Sequence, residues 1–296
     1  MKHTTKITIL LLVMFLVTQF IGIYVVNHYI GQDNELPYGM TPPEAETDKD
    51  FYTSFLPSII IAFIIAITIL FFLTKFKAEI ILKIWFFLVV TIALGISLGS
   101  FLPAFKNSSL LILIIVLPLA FFKIFKRGFV IHNVTELFIY PGIAAVFVPL
   151  LNVWTIIILL ILLSLYDMWA VWHSGIMQKM AKYQIDKVKA FTGFAVPYVS
   201  KKVKTKIKKM KKKDLKKKKI KVNLAILGGG DIIFPIITAG VMLKTLGLGP
   251  AILVVLGAAL GLGYLFFAAK KKKFYPAMPF ITAGIFLSMI ISYFIF

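Results

Sequence analysis

Nine runs of mostly uncharged, apolar residues constrain this chain before anything else: roughly 6–28, 55–74, 83–102, 109–125, 129–150, 153–173, 222–243, 248–268 and 276–296. Each is about as long as an α-helix needs to be to cross ~30 Å of hydrocarbon. In that solvent every backbone N–H and C=O must be paired internally, so only helices or a closed barrel can span it. Barrel strands alternate apolar and polar residues over about ten positions, whereas these runs are continuous blocks of Ile, Leu, Phe and Val. The expected fold is therefore all-α, a polytopic bundle of nine transmembrane helices. The first run follows Lys2 and Lys6 but is too long for a signal-peptide core and lacks a small-residue cleavage site, so it counts as a span. The chain has no cysteine, which removes disulfides, thiol nucleophiles and thiolate metal sites.

The formal net charge of +21 suggests nucleic acid until its position is read. With the N-terminus in the cytoplasm and the spans alternating, 30 of the 33 basic residues fall on the cytoplasmic side, and only Lys49, Lys106 and Lys244 fall outside. Short-loop Lys and Arg set orientation, so the expectation is N-terminus cytoplasmic and C-terminus external. Three parts follow: a six-helix half over 1–173, a cytoplasmic lysine-rich loop over 174–221, and a three-helix part over 222–296. The loop (KKVKTKIKKMKKKDLKKKKIK) cannot build a core. It reads as a solvated tether against anionic lipid headgroups, and without interleaved aromatics it does not read as a nucleic-acid site. The apolar stretch Ala190–Val199 is too short to span and is expected to lie in the interface or to cover the cytoplasmic mouth of a site.

Three of the twelve acidic residues fall inside spans: Glu136, Asp167 and Asp231. A carboxylate at mid-helix costs about 2.5–3.5 kcal/mol of insertion free energy, which makes each a functional candidate. Glu136 has His132 four residues earlier on the same helical face, and the two read as a hydrogen-bonded pair rather than a metal site. Asp167 and Asp231 lie at similar depths from the cytoplasmic side, about six and nine residues in. Packed sixth and seventh spans would bring them together. Two carboxylates ~3 Å apart cannot both ionise, so such a pair shares one proton. One member can then deprotonate water while the other donates to a scissile carbonyl.

The flanking residues fit that chemistry. Gly228, Gly229 and Gly230 precede Asp231, giving either a thin backbone that another chain can approach or a flexible helix start. Pro276, Ala277 and Met278 open the ninth span on the same membrane face, where a first-turn proline loses no helical bond. Tyr166 adjoins Asp167 as a candidate hydrogen-bonding partner. His173 and Ser174 are adjacent on a helix and cannot face each other, which argues against a serine protease. Asn107-Ser108-Ser109 and Asn133-Val134-Thr135 fit the glycosylation pattern.

Tyr166-Asp167 on the sixth span, Gly228-Gly229-Gly230-Asp231 on the seventh and Pro276-Ala277-Met278 on the ninth resemble the YD, GxGD and PAL motifs of the presenilin and signal peptide peptidase family. The likeness extends over essentially the whole chain, with Met278 in place of the usual Leu and Gly229 at the variable position. It implies a hydrolase of the intramembrane aspartyl protease type, with Asp167 and Asp231 catalytic. It further implies single-span transmembrane proteins as substrates, no cofactor or metal, and, as in the compact microbial members, no obligatory subunits. The inferred orientation is like presenilin, so substrates would have an external N-terminus, and the expected location is a prokaryotic cell membrane. A substrate helix must unwind before cleavage, and an extended substrate could pair with backbone offered near Gly228–Gly230. The rival reading is a proton- or cation-coupled transporter or channel using the same carboxylates. No internal repeat supports it.

Overall fold

The computed structural model describes residues 5–30, 36–37, 40, 57–58, 61, 65, 68–69, 79–103, 108–126, 128–174, 192–198, 223–269 and 275–296. Eight helices among these are long and apolar enough to cross a membrane. They are α1 (Thr5–Ile30), α2 (Glu79–Gly99), α3 (Ser108–Phe125), α4 (Phe129–Phe147), α5 (Val153–Trp169), α6 (Gly229–Leu246), α7 (Leu248–Ala268) and α8 (Met278–Ile295). Of the expected span at 55–74 only residues 57–58, 61, 65 and 68–69 are described, and of the loop at 174–221 only 174 and 192–198; the rest lies outside the described residues. α4 continues into a short 3-10 turn at Val148–Leu150, and α5 into a π turn at Ala170–Ser174. Asn152 caps α5 reciprocally with Thr155: its side chain accepts the Thr155 N–H at 2.9 Å, and its own N–H donates to the Thr155 hydroxyl.

One element departs from the all-helical expectation. Gly193–Tyr198 (β1) and Asn223–Gly228 (β2) pair antiparallel, with Gly193 opposite Gly228 and Tyr198 opposite Asn223. The seventh span therefore begins at Gly229 rather than at 222. A six-residue apolar run ending in glycine has no periodicity that separates a strand from a buried helix; the partner strand decides it. β1 starts at a glycine with φ +122°, and a Cβ there would collide with the carbonyl oxygen of Leu227. Both strands are largely buried: Phe194, Ala195, Ala225 and Leu227 belong to the interior.

α6 is the hub, packing against α1, α4, α5, α7 and both strands. Polar ties cross the apolar packing. Thr18 on α1 donates to the Leu137 carbonyl of α4 at 2.8 Å, and Tyr29 donates to the Ile96 carbonyl of α2 at 2.8 Å. α7 and α8 approach closely. Gly257 and Gly261, spaced as GxxxG, bring the α7 backbone onto Gly284 and the Phe280 carbonyl of α8, leaving no room for a side chain. Gly261→Leu is expected to force these helices apart and to destabilise the protein by at least about 1–3 kcal/mol. A thermal unfolding midpoint in detergent unchanged from wild type would contradict that packing.

Candidate active site

Asp167 sits in the last turn of α5 and is only 5 % exposed. Its carboxylate meets the start of α8, where Oδ2 accepts the Met278 N–H at 3.0 Å and the Ala277 backbone also contributes. The first N–H groups of a helix have no partner within it, and they favour a negative group at that end. Pro279 in the same turn gives up no useful donor. Pro276 and Met278 are buried and Ala277 is partly so, which places the expected proline-containing segment against Asp167. One turn away, the Ser164 hydroxyl donates to Thr282 Oγ1 at 2.9 Å, a buried bond fastening α5 to α8.

Asp231 is the third residue of α6, not about nine residues into a longer helix, because β2 takes up 223–228, which were expected to be helical. Gly228 ends β2 and caps α6 in extended conformation, and the Asp231 carboxylate reaches back to the Gly228 backbone. This is the returning half of a capping box. Asp231 lies within electrostatic range of Asp167, across the contact between α5 and α6. Pro235 lacks the N–H that would bond the Asp231 carbonyl, so the first turn is loosely held from within. Gln19, buried in α1, holds it from outside by donating to the Ile232 carbonyl at 3.0 Å.

The three glycines have different surroundings. Gly229 faces the Tyr140 ring and hydroxyl of α4, where a Cβ would come within 2.8 Å of the oxygen. Gly230 is exposed. Tyr166 is 58 % exposed, and its ring lies 6.3 Å from that of Trp169 on the outer face of α5. It is not turned toward the interior where Asp167 is held.

Glu136 has a different environment. It is 1 % exposed and forms an ion pair with Lys123, whose side chain turns inward from the last turn of α3. His132 lies 3.8 Å from the same carboxylate, so the expected pair is a triad with a cation. Among the described residues, Glu136 is the membrane acid with a basic partner, whereas Asp167 and Asp231 hold backbone groups and lie within electrostatic range of each other. Sequence reading missed Gln19, Ser164, Thr282 and the role of Lys123. The available signal was a polar residue within an apolar run, which marks a candidate without naming its partner.

Comparison with known proteins bears on the family and the fold. A family model described as signal-peptide peptidase, presenilin aspartyl protease matches residues 38–296. Curated proteins give no match. The fold is similar to a solved presenilin family intramembrane aspartate protease in the C222 space group, with TM-score 0.63 at 17 % identity, covering 98 % of this chain and 99 % of that one. A second structure with the same description, in the P2 space group, gives TM-score 0.62 at 17 % identity and covers 97 % of each chain.

Proposed function

Because the chain belongs to the signal-peptide peptidase and presenilin family of aspartyl proteases, we propose that Asp167 and Asp231 are its catalytic pair, hydrolysing peptide bonds within transmembrane helices. The supporting observation is that these two carboxylates, from α5 and α6, lie within electrostatic range of each other, each touching backbone at a helix start and neither beside a cation among the described residues. The pair holds one proton between its members. The ionised carboxylate takes a proton from water, the hydroxide adds to the scissile carbonyl, and the protonated carboxyl donates to the developing oxyanion. The proton then passes to the leaving amine as the tetrahedral intermediate collapses. Fixing both acids on packed helices supplies orientation before the substrate arrives. Tyr166, on the outer face of α5, is placed to meet a substrate approaching from lipid. The charge distribution supports a cytoplasmic N-terminus, and the lysine-rich loop suits anionic headgroups.

The substrate reaches the pair as an extended strand. Ala195 uses its N–H and C=O away from β2, so Gly193 and Ala195 form non-hydrogen-bonded pairs with Gly228 and Ile226. The backbone groups of Leu224 and Ile226 then face the opposite edge, which runs toward Asp231. A substrate strand added there would bring its backbone to the two acids.

The purified protein in detergent is expected to cut a single-span peptide internally and to be blocked by a transition-state mimic. Measurable ion flux without cleavage would favour transport instead. Substituting helix-breaking residues of the substrate by Ala or Leu is expected to slow cleavage by about tenfold, since each Gly→Ala change stabilises the helix by about 1 kcal/mol. Cleavage rates indifferent to substrate helicity would remove the strand step.

A further inference from the structure

We propose that α4 acts as a side-chain substitute for a third strand: His132 and Asn133 occupy the outer edge of β1, so that the sheet can be extended only along β2, beside Asp231. This rests on the strand-addition reading above and assigns positioning residues for it.

The geometry is specific at Asn133. Its Nδ2 donates to the Ala195 carbonyl at 3.0 Å, and its Oδ1 accepts the Ala195 N–H at 3.0 Å. One amide thus makes both bonds that a neighbouring strand residue would make. Two residues earlier on the same edge, His132 Nε2 lies 2.8 Å from the Gly193 carbonyl. A carbonyl can only accept, so Nε2 carries the hydrogen. Nδ1 is then the acceptor for Lys123 Nζ at 3.4 Å, and Lys123 is itself anchored by Glu136. The next outward position, Pro197, has no N–H to offer. The outer edge of β1 is therefore closed at alternate residues by a histidine, an asparagine and a proline.

β2 has the opposite character. Among the described residues its only strand partner is β1. A sheet that among the described residues has no strand on the β2 side and is closed on the β1 side accepts an added strand in one place. The closure also fixes register. Tyr140, two turns beyond His132 and Asn133, packs against Gly229 and lies edge-on to Phe194, with ring centroids 6.3 Å apart. The same helix face thus grips β1 and the residue two before Asp231. If β1 were released, β2 could pair with a substrate at a displaced register. Displacements of two residues preserve the buried face, whereas one-residue slips invert it.

The side chain of Asn133 is consumed by Ala195, so the Asn133-Val134-Thr135 pattern reads as strand capture and not as a glycan site.

The test uses the full-length protein and a single-span peptide, with products mapped by mass. Asn133→Ala and His132→Phe are expected to raise KM by about tenfold with kcat within about twofold, as for lost uniform binding. Both should spread the cut over bonds two residues apart. His132→Gln, which retains an N–H donor, is expected to restore the wild-type product. In wild type the Ala195 amide should resist hydrogen exchange although it faces away from β2, and Asn133→Ala should speed its exchange by about tenfold or more. A single unchanged cut with unchanged KM in both variants would overturn the proposal, as would rapid exchange at Ala195 in wild type. The exchange measurement stands without catalysis: a wild-type protein that cut nothing would defeat the proteolytic reading and leave the edge closure separately tested.

Discussion

Asp167→Asn and Asp231→Asn proteins are each expected to lose cleavage of a single-span peptide by at least about three orders of magnitude, because general acid–base groups acting as a unit fail together. Asn is nearly isosteric, so the amide can still accept the Met278 N–H at position 167 or the Gly228 N–H at 231. The fold should survive, with a thermal midpoint near that of wild type. Both variants can donate and accept hydrogen bonds, yet neither can exchange a proton with water and with a carbonyl in turn. The double variant should be no worse than either single one, which is the signature of two groups doing one job. Residual cleavage in one variant but not the other would mean that a single carboxylate suffices, and the shared-proton mechanism would have to be abandoned.

The second large effect concerns stability. Lys123→Met leaves Glu136 buried without its ammonium partner, with His132 at 3.8 Å as the remaining neighbour, and is expected to destabilise the protein by about 3–5 kcal/mol. Glu136→Leu strands Lys123 in the same way. Replacing both, as Lys123→Met with Glu136→Leu, removes the two desolvated charges together and should recover most of the loss. The measurement is reversible unfolding in mixed detergent micelles for the four proteins of the cycle. Strictly additive losses would show that the two groups do not interact in the folded state. Because Lys123 also donates to His132, the single variants should loosen β1 as well, whereas the apolar double variant restores stability without restoring that hydrogen bond.

Helix positions were largely legible because lipid imposes a rule with few exceptions: a long uncharged run must close its own backbone bonds. The run read at 248–268 coincides with α7, and those at 109–125 and 153–173 match α3 and α5 with its π turn to within a residue or so. The run at 222–243 began seven residues early for a physical reason. Asn223–Gly228 is apolar enough for either structure, and its partner, β1, lies some thirty residues upstream across a lysine-rich segment that gives no hint of pairing. Ala190–Val199 carries a usable strand signal in the spacing of Phe194, Val196 and Tyr198 after Gly193, whereas its shortness by itself excludes only a span.

Charge behaved differently from length. Lys123 counts among the cytoplasmic cations by position, yet its ammonium turns inward to Glu136. Composition therefore identified three expensive acids and could not say which of them had been neutralised. Energetic cost is a property of a residue and its solvent, so the sequence alone marked Glu136, Asp167 and Asp231 as exceptional, along with the helical architecture that carries them. Partnership is a property of space. Only packing of α5 against α6 and α8, and of α3 against α4, decided that one acid meets a lysine while the other two come within electrostatic range of each other.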